Sequence, residues 1–233
     1  MNWPLLALAV GAFAIGTTEF TPMGLLPVIA QGLQVTVPKA GGLVTAYAVG
    51  VMVGAPFITL LLARLRRKSA LTLLMGIYVA GNLLSAVAGS YELLFASRVL
   101  TSLAHGVFFG LGAVEASAVV APERRASAVA TMFMGLTIAN IIGVPAATWL
   151  GMNFGWHMAF GVTAILGLLT MVAVQWALPA REAGPVPDVA SELKALLRIN
   201  VLLALTPTAI GAGAMFVLYT YISPILPHIT HAT

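Results

Sequence analysis

Seven long apolar segments constrain the fold of this chain more than any other feature. Each holds about 20 residues or more, enough for one helix to cross a bilayer core of about 30 Å. Charged residues make up only 8% of the chain, whereas a soluble domain carries about 25%. The sequence therefore predicts an all-α integral membrane protein with spans at 4–30, 40–63, 69–89, 93–120, 126–151, 156–178 and 199–224.

The basic residues between the spans predict the orientation. Nine of them lie between spans two and three, four and five, or six and seven, whereas the other connectors hold only Lys39. By the positive-inside rule, the N-terminus and the basic connectors are cytoplasmic. The first span has no basic n-region and no small-residue cleavage site, so we expect it to be retained. The nine residues are Arg64, Arg66, Arg67, Lys68, Arg124, Arg125, Arg181, Lys194 and Arg198.

The only substantial polar segment divides the chain. We expect a six-helix bundle over 1–178, a cytoplasmic linker over 179–198, and a seventh helix with a short outer tail over 199–233. The linker begins with Pro and Gly residues and ends in SELKALLR, which can form a short amphipathic helix on the membrane surface.

Other classes of protein have little support. The chain has no cysteine, no HExxH or GxSxG motif and no clustered carboxylates, so we predict no enzyme, no cofactor and no metal site. No basic patch accompanies a nucleic-acid-reading module, so we expect no nucleic acid partner. A retinal protein needs a lysine within a span, and Lys39, Lys68 and Lys194 all lie in connectors. A channel, or a self-associating membrane protein without coupled transport, remains the alternative to a transporter.

Seven motifs in order resemble one family. They are GTTEFTPMGLLPVIA, AYAVGVMVGAPF, ARLRRK, RVLTSLAHGVFFGLGA, APERRASAVA, GLTIANIIGVPAATWLG and FGWHMAF. This order is similar to that of the major facilitator superfamily, in its proton-driven drug and sugar efflux branch, which includes arabinose-efflux-like and chloramphenicol-efflux-like permeases. The resemblance implies a multi-pass protein of the bacterial inner membrane that exports small molecules by proton antiport.

The resemblance also implies an architecture. Members have two six-helix halves, so this chain resembles an N-terminal half, built as an inverted 3+3 repeat, plus one further transmembrane helix. The expected partners are protons, a small-molecule substrate, the lipid bilayer, and either a missing C-terminal half or a second copy of the chain. With half of the cavity wall missing, we expect no transport by these 233 residues alone.

Glu19 lies near the middle of the first span. An intramembrane carboxylate usually faces a cavity or a partner, and the resemblance implies a position beside the central cavity, suited to binding a proton or a cationic substrate. The alternative is a structural glutamate that is hydrogen-bonded between helices.

Three further polar residues could couple protons to substrate. Arg98 matches the family's fourth-helix arginine, with an arginine that reaches to the outer interface as the alternative. His105 lies on the same helical face as Arg98 and could relay protons or simply bond a neighbouring helix. Asn140 adds an amide within reach of a cavity. Glu115 lies off that face, and we expect it to pair with the basic loop.

The remaining candidates follow from motifs and aromatic character. Arg64, Arg66, Arg67 and Lys68 occupy the family's gating loop but could equally serve only to set the topology. Gly135, Gly143 and Pro145 match the antiporter motif, in which small residues let helices approach and proline bends the span. Aromatic residues that could line a cavity or simply pack are Tyr47, Phe108, Phe109, Tyr219 and Tyr221.

Overall fold

The chain folds as a helical membrane bundle. A computed structural model describes residues 2–181 and 197–230, except the side chains of 223, 224 and 226–230. Seven helices within these residues are long and apolar enough to cross a membrane, which confirms the predicted all-α fold and the number of spans. We number them α1 Trp3–Gly24, α2 Val37–Leu62, α3 Arg67–Ala86, α4 Tyr91–Ala118, α5 Pro122–Phe154, α6 Trp156–Ala177 and α7 Ile199–Thr230.

The predicted first span, 4–30, is not one continuous helix. α1 ends at Gly24, and a separate short helix runs over Leu26–Gly32. Leu25 between them has φ −105° and ψ 8°, outside the helical region. Because Pro27 has no N–H to donate and its ring crowds the preceding turn, the helix breaks here and restarts with Pro27 in its first turn.

α5 also departs from a regular helix. It begins with a 3₁₀ turn at Pro122–Arg124, continues as α-helix over Arg125–Ile138, and passes through a π-helical turn at Ala139–Gly143 before Val144–Phe154. Pro145 follows this turn and cannot donate a backbone hydrogen bond, so an irregularity one turn before it is the expected response. The bend that the sequence predicted at Pro145 therefore takes the form of a π turn.

The five most extensive helix pairs follow an internal symmetry. α1 packs against α5 and α6, α4 packs against α2 and α3, and α3 packs against α6. Exchanging α1 with α4, α2 with α5 and α3 with α6 reproduces this set of pairs. Consecutive spans alternate in direction, so helices three apart run in opposite directions. The packing is therefore that of two three-helix repeats of inverted topology.

α7 lies at the margin of the six-helix bundle. It contacts α1 and the short helix Leu26–Gly32, and Thr220 is its only buried residue among the side chains that are described. The amphipathic helix predicted near the end of the linker falls almost entirely within 182–196, outside the described residues.

Candidate functional site

A small cavity lies where α1, α2, α4 and α7 meet. Its volume is about 180 Å³. α1 and α4, the first helices of the two repeats, both contribute to it. The lining residues are Glu19, Met23, Val44, Tyr47, Ala48, Val51, His105 and Phe216.

Three side chains with exchangeable protons meet in this cavity. The Tyr47 hydroxyl lies 3.1 Å from His105 Nδ1, and the same nitrogen lies 3.9 Å from Glu19 Oε2. The Glu19 side chain is 14% exposed, so it opens onto the cavity rather than into the packed core. If Nδ1 carries a proton, it can be shared with Tyr47 or Glu19; if it does not, it accepts from Tyr47. The arrangement can hold a proton at more than one atom.

Arg98 lies behind this cavity and is almost completely buried, with 1% exposure. Its Nη2 donates to the Thr18 carbonyl oxygen at 3.1 Å, and its guanidinium carbon lies 4.3 Å from the centre of the Tyr47 ring. A cation over an aromatic face is stabilised by the ring's electron density. Arg98 is therefore held inside the bundle and does not extend to the outer interface.

The surroundings of Arg98 include a polar network that the sequence analysis missed. Asn82 on α3 accepts hydrogen bonds from Thr18 on α1 and Thr163 on α6, and all three residues are buried. One available signal was the amide of Asn82, because an uncharged polar residue in an apolar span usually bonds a neighbouring helix.

Glu115 occupies a second buried charge cluster, at the end of the bundle where α3 begins and α6 ends. Its carboxylate lies 3.7 Å from Arg67 and 4.0 Å from Arg181, consistent with the predicted pairing to the basic loop. Arg64 and Arg66 are exposed and Lys68 is partly buried. Of the predicted gating residues, Arg67 is thus the one placed against a carboxylate within residues 2–181 and 197–230.

The antiporter-motif glycines lie where α5 meets α1. A Cβ atom at Gly135 would collide with the Ala9 carbonyl oxygen, and one at Gly143 would collide with the Thr17 side chain. Asn140 donates to the Leu136 carbonyl of its own helix at 3.1 Å and is not among the cavity lining residues. The structure therefore does not bring Asn140 together with Glu19 and His105.

The aromatic candidates divide into lining and packing residues. Tyr47 lines the cavity, and Phe109 packs on His105 with ring centres 5.1 Å apart. Phe108 is fully buried, whereas Tyr219 is 41% exposed and contacts Phe20. Tyr221 lies against Gly41. Phe216 is the α7 residue that lines the cavity. It could not be predicted, because phenylalanine in an apolar span carries no distinguishing signal.

A larger groove of about 670 Å³ lies between α2 and α4 on the outside of the bundle. No charged residue lines it, and its surface is almost entirely apolar. Such a groove offers no titratable group that could bind a proton, and Thr45 supplies its only polar side chain, so size alone does not identify the functional cavity.

Curated relatives that are named as transport proteins match this chain over 99–100% of its length. The chain is 63% identical over 233 residues to the inner membrane transport protein YdhP of Escherichia coli K12, covering all of this chain and 60% of that protein. It is 31% identical over 231 residues to a protein of Haemophilus influenzae named as a probable sugar efflux transporter, covering 99% of this chain and 58% of the relative. The chain thus spans about 60% of the length of these relatives.

The fold matches solved transporter structures as well. The crystal structure of a bacterial homologue of the human lysosomal transporter Spinster superposes with a TM-score of 0.76 at 16% identity, covering 99% of this chain and 56% of that one. The sequence profile of the Major Facilitator Superfamily matches residues 8–232. This is a family of transporters rather than of enzymes, and the chain is one of its members.

Proposed function

We propose that this chain forms part of a proton-coupled exporter of small molecules, such as drugs, sugars or related metabolites. Glu19 is the residue that binds the coupled proton, His105 and Tyr47 share it, and Arg98 supplies a fixed positive charge behind them. The proposal extends to antiport, in which a proton enters as the substrate leaves, and to partners that are a small-molecule substrate and protons.

One observation carries this assignment: Glu19, His105 and Tyr47 line the same cavity, and both Glu19 and Tyr47 lie within 3.9 Å of His105, beside a buried arginine. A carboxyl group inside a membrane is costly unless it is neutral or paired. Glu19 has a histidine within reach, but with the side chains that the structure describes it makes none of the short hydrogen bonds that would make it a permanent helix bridge. A group in this position can gain and lose a proton as the cavity fills and empties.

The charge cluster at Glu115 supports the proposed orientation. Arg67 follows the second span and Arg181 follows the sixth, and both reach the same carboxylate. The two basic connectors therefore lie on one side of the bundle, which the positive-inside rule assigns to the cytoplasm. The N-terminus is then cytoplasmic, in a bacterial inner membrane.

The test is Glu19→Gln, which keeps the shape of the side chain and removes its titration. Because no transport is expected from these 233 residues alone, the chain is co-expressed with a five-helix C-terminal complement from a relative, reconstituted in liposomes with a proton gradient and supplied with drugs and sugars. We expect substrate-driven proton flux, followed with a pH-sensitive dye, to fall in the variant to the level of empty liposomes. Thermal unfolding should be unchanged, because Gln can occupy the same space.

The matched control is Glu92→Gln, which changes an exposed glutamate in the first turn of α4. It should leave proton flux intact. Proton flux that survives in Glu19→Gln would contradict the assignment, and passive conductance without counterflow would favour a channel. Labelling with dicyclohexylcarbodiimide, which reacts with protonated carboxyls in apolar surroundings, gives a check that needs no substrate: Glu19 should be modified and Glu92 should not.

A further inference from the structure

Asn82 joins three helices at the centre of the bundle. Its Oδ1 accepts from the Thr18 hydroxyl of α1 at 2.5 Å and from the Thr163 hydroxyl of α6 at 3.0 Å. Its Nδ2 donates to the Tyr78 carbonyl of its own helix at 2.9 Å. The Thr163 hydroxyl also lies 2.9 Å from the Phe160 carbonyl, so its single hydrogen is shared between that carbonyl and Asn82.

The Thr18 hydroxyl behaves differently from its neighbours on α1. Thr17 and Thr21 donate to the carbonyl four residues earlier in their own helix. For Thr18 that carbonyl belongs to Ala14, and the Tyr78 hydroxyl already donates to it at 2.6 Å. With the helical N–H as the second donor, both lone pairs of the Ala14 oxygen are used. Asn82 is then the acceptor left for Thr18.

Because the Thr18 hydroxyl donates its hydrogen to Asn82, it faces Arg98 as a hydrogen-bond acceptor. Because its single hydrogen points to Asn82, the Thr18 hydroxyl turns its lone pairs toward Arg98 Nη1, which lies 3.5 Å away. The Thr18 carbonyl accepts from Nη2 at 3.1 Å, and the Tyr47 ring covers the guanidinium at 4.3 Å. Arg98 is thereby held between α1 and α2 in one orientation.

We infer that Asn82 is a positioning residue for Arg98 and acts through the Thr18 hydroxyl. Asn82 is neither a lining residue of the cavity nor a hydrogen-bond partner of Arg98, yet it sets which side of the Thr18 hydroxyl faces Arg98. The consequence for coupling rests on the proposed function, in which the charge of Arg98 acts on the proton shared by Glu19 and His105. The effect on the orientation of Arg98 itself does not depend on that proposal.

The orientation of Arg98 can be measured directly. The chain is prepared with ¹⁵N-labelled arginine in lipid nanodiscs, and the Arg98 signals are assigned by their loss in Arg98→Lys. A guanidinium held at two Nη atoms gives separate, slowly exchanging Nη resonances. We expect these signals to merge or broaden in Asn82→Leu and in Thr18→Val, since both remove the oriented hydroxyl contact.

Two control variants separate positioning from general damage. Thr18→Ser keeps the hydroxyl and should keep the resolved Arg98 signals. Thr163→Val removes the other donor to Asn82, but Thr163 also bonds the Phe160 carbonyl and is not among the residues bonded to Arg98, so the signals should again be kept. Thermal unfolding shows which variants are folded. If Asn82→Leu does not fold, Thr18→Val is the variant that tests the inference.

The outcomes are distinct. Arg98 signals that stay resolved in both Asn82→Leu and Thr18→Val overturn the inference. If the Arg98 signals merge but proton flux in liposomes is unchanged, the role of Asn82 in coupling is overturned. If the signals merge and proton flux is lost in Thr18→Val but kept in Thr18→Ser, that role is supported. Failure of the proposed function is seen separately, as proton flux that survives in Glu19→Gln.

Discussion

α1 and α7 are both apolar helices of membrane-spanning length, but they occupy very different places in the molecule. In α1, 13 of the 22 residues are buried, whereas Thr220 is the only buried residue among the described side chains of α7. Both carry glycine, proline and threonine. The difference therefore lies in how these residues are used, and average hydropathy does not distinguish the two helices.

One hydroxyl group shows the contrast, although Thr17 and Thr21 of α1 also bond their own helix. Thr18 of α1 donates across to Asn82 on α3. In α7, Thr206 and Thr208 each donate to a carbonyl of their own helix, those of Leu202 and Ala204. Lipid is as apolar as leucine, so apolar area does not drive one helix against another within a membrane. Close backbone approach and polar contacts do, and α1 has both.

Glycine contacts follow the same division. The Cβ atom missing from Gly11 or Gly16 would collide with side chains of α4 or α5, whereas a Cβ at Gly211 or Gly213 of α7 would meet nothing within 4 Å. Glycines on α1 mark close packing, and glycines on α7 do not. A glycine count alone would have treated the two helices alike.

The largest loss of stability should come from adding a methyl group where the backbone of α5 lies closest to α1. In Gly135→Ala, the new methyl group would meet the Ala9 backbone carbonyl, which cannot rotate away, so α5 must move. Overpacking of this kind costs about 1–3 kcal/mol. We expect a clearly lower thermal unfolding midpoint in detergent than for the wild type.

Gly213→Ala is the matched substitution on α7. The added methyl group has open space, and alanine favours helix over glycine by about 0.8–1.0 kcal/mol, so the midpoint should stay or rise slightly. Equal destabilisation by the two substitutions would contradict the idea that packing separates the helices.

Phe216→Ala tests an aromatic contact that joins α7 to α1. Phe216 of α7 lies with its ring centre 5.5 Å from that of Phe20 on α1 and lines the central cavity. An aromatic pair of this kind contributes about 0.5–1.5 kcal/mol. In Phe216→Ala we expect a modest loss of stability and faster hydrogen exchange in α7 than in α1. Leu218→Ala, at a residue 64% exposed on the same helix, should change neither quantity; equal effects would mean that the Phe20 contact does not anchor α7.

The overall fold could be predicted from the sequence because its main signals are local. Apolar runs of sufficient length give the spans whatever surrounds them, and Glu19 stands out as the only acidic residue of the first span. Helix irregularities were harder to predict. Proline indicated a bend at residue 145, whereas 4–30 was predicted as one span despite Pro27. The break at Leu25 and the π turn at Ala139–Gly143 depend on how neighbouring helices pack.

The candidate site could be predicted only in part, for a related reason. Which acceptor a polar side chain uses is decided by the neighbours that folding brings to it. Asn140 was expected near the cavity but bonds its own helix, while Asn82, an equally polar residue, joins three helices. Nothing in the local sequence separates these two asparagines, so the network around Arg98 could not be found before the helices were placed.

The smallest loss of stability should come from removing a single hydroxyl group. Tyr78 of α3 is fully buried and donates to the Ala14 carbonyl of α1 at 2.6 Å, so Tyr78→Phe removes one bond between helices and leaves the ring in place. Such bonds in membranes contribute about 0.6 kcal/mol on average. The same change at Tyr219 of α7, which is 41% exposed, should be neutral. Equilibrium unfolding in mixed micelles resolves a difference of this size. Equal free energies of unfolding for the two variants would mean that polar contacts do not distinguish α1 from α7.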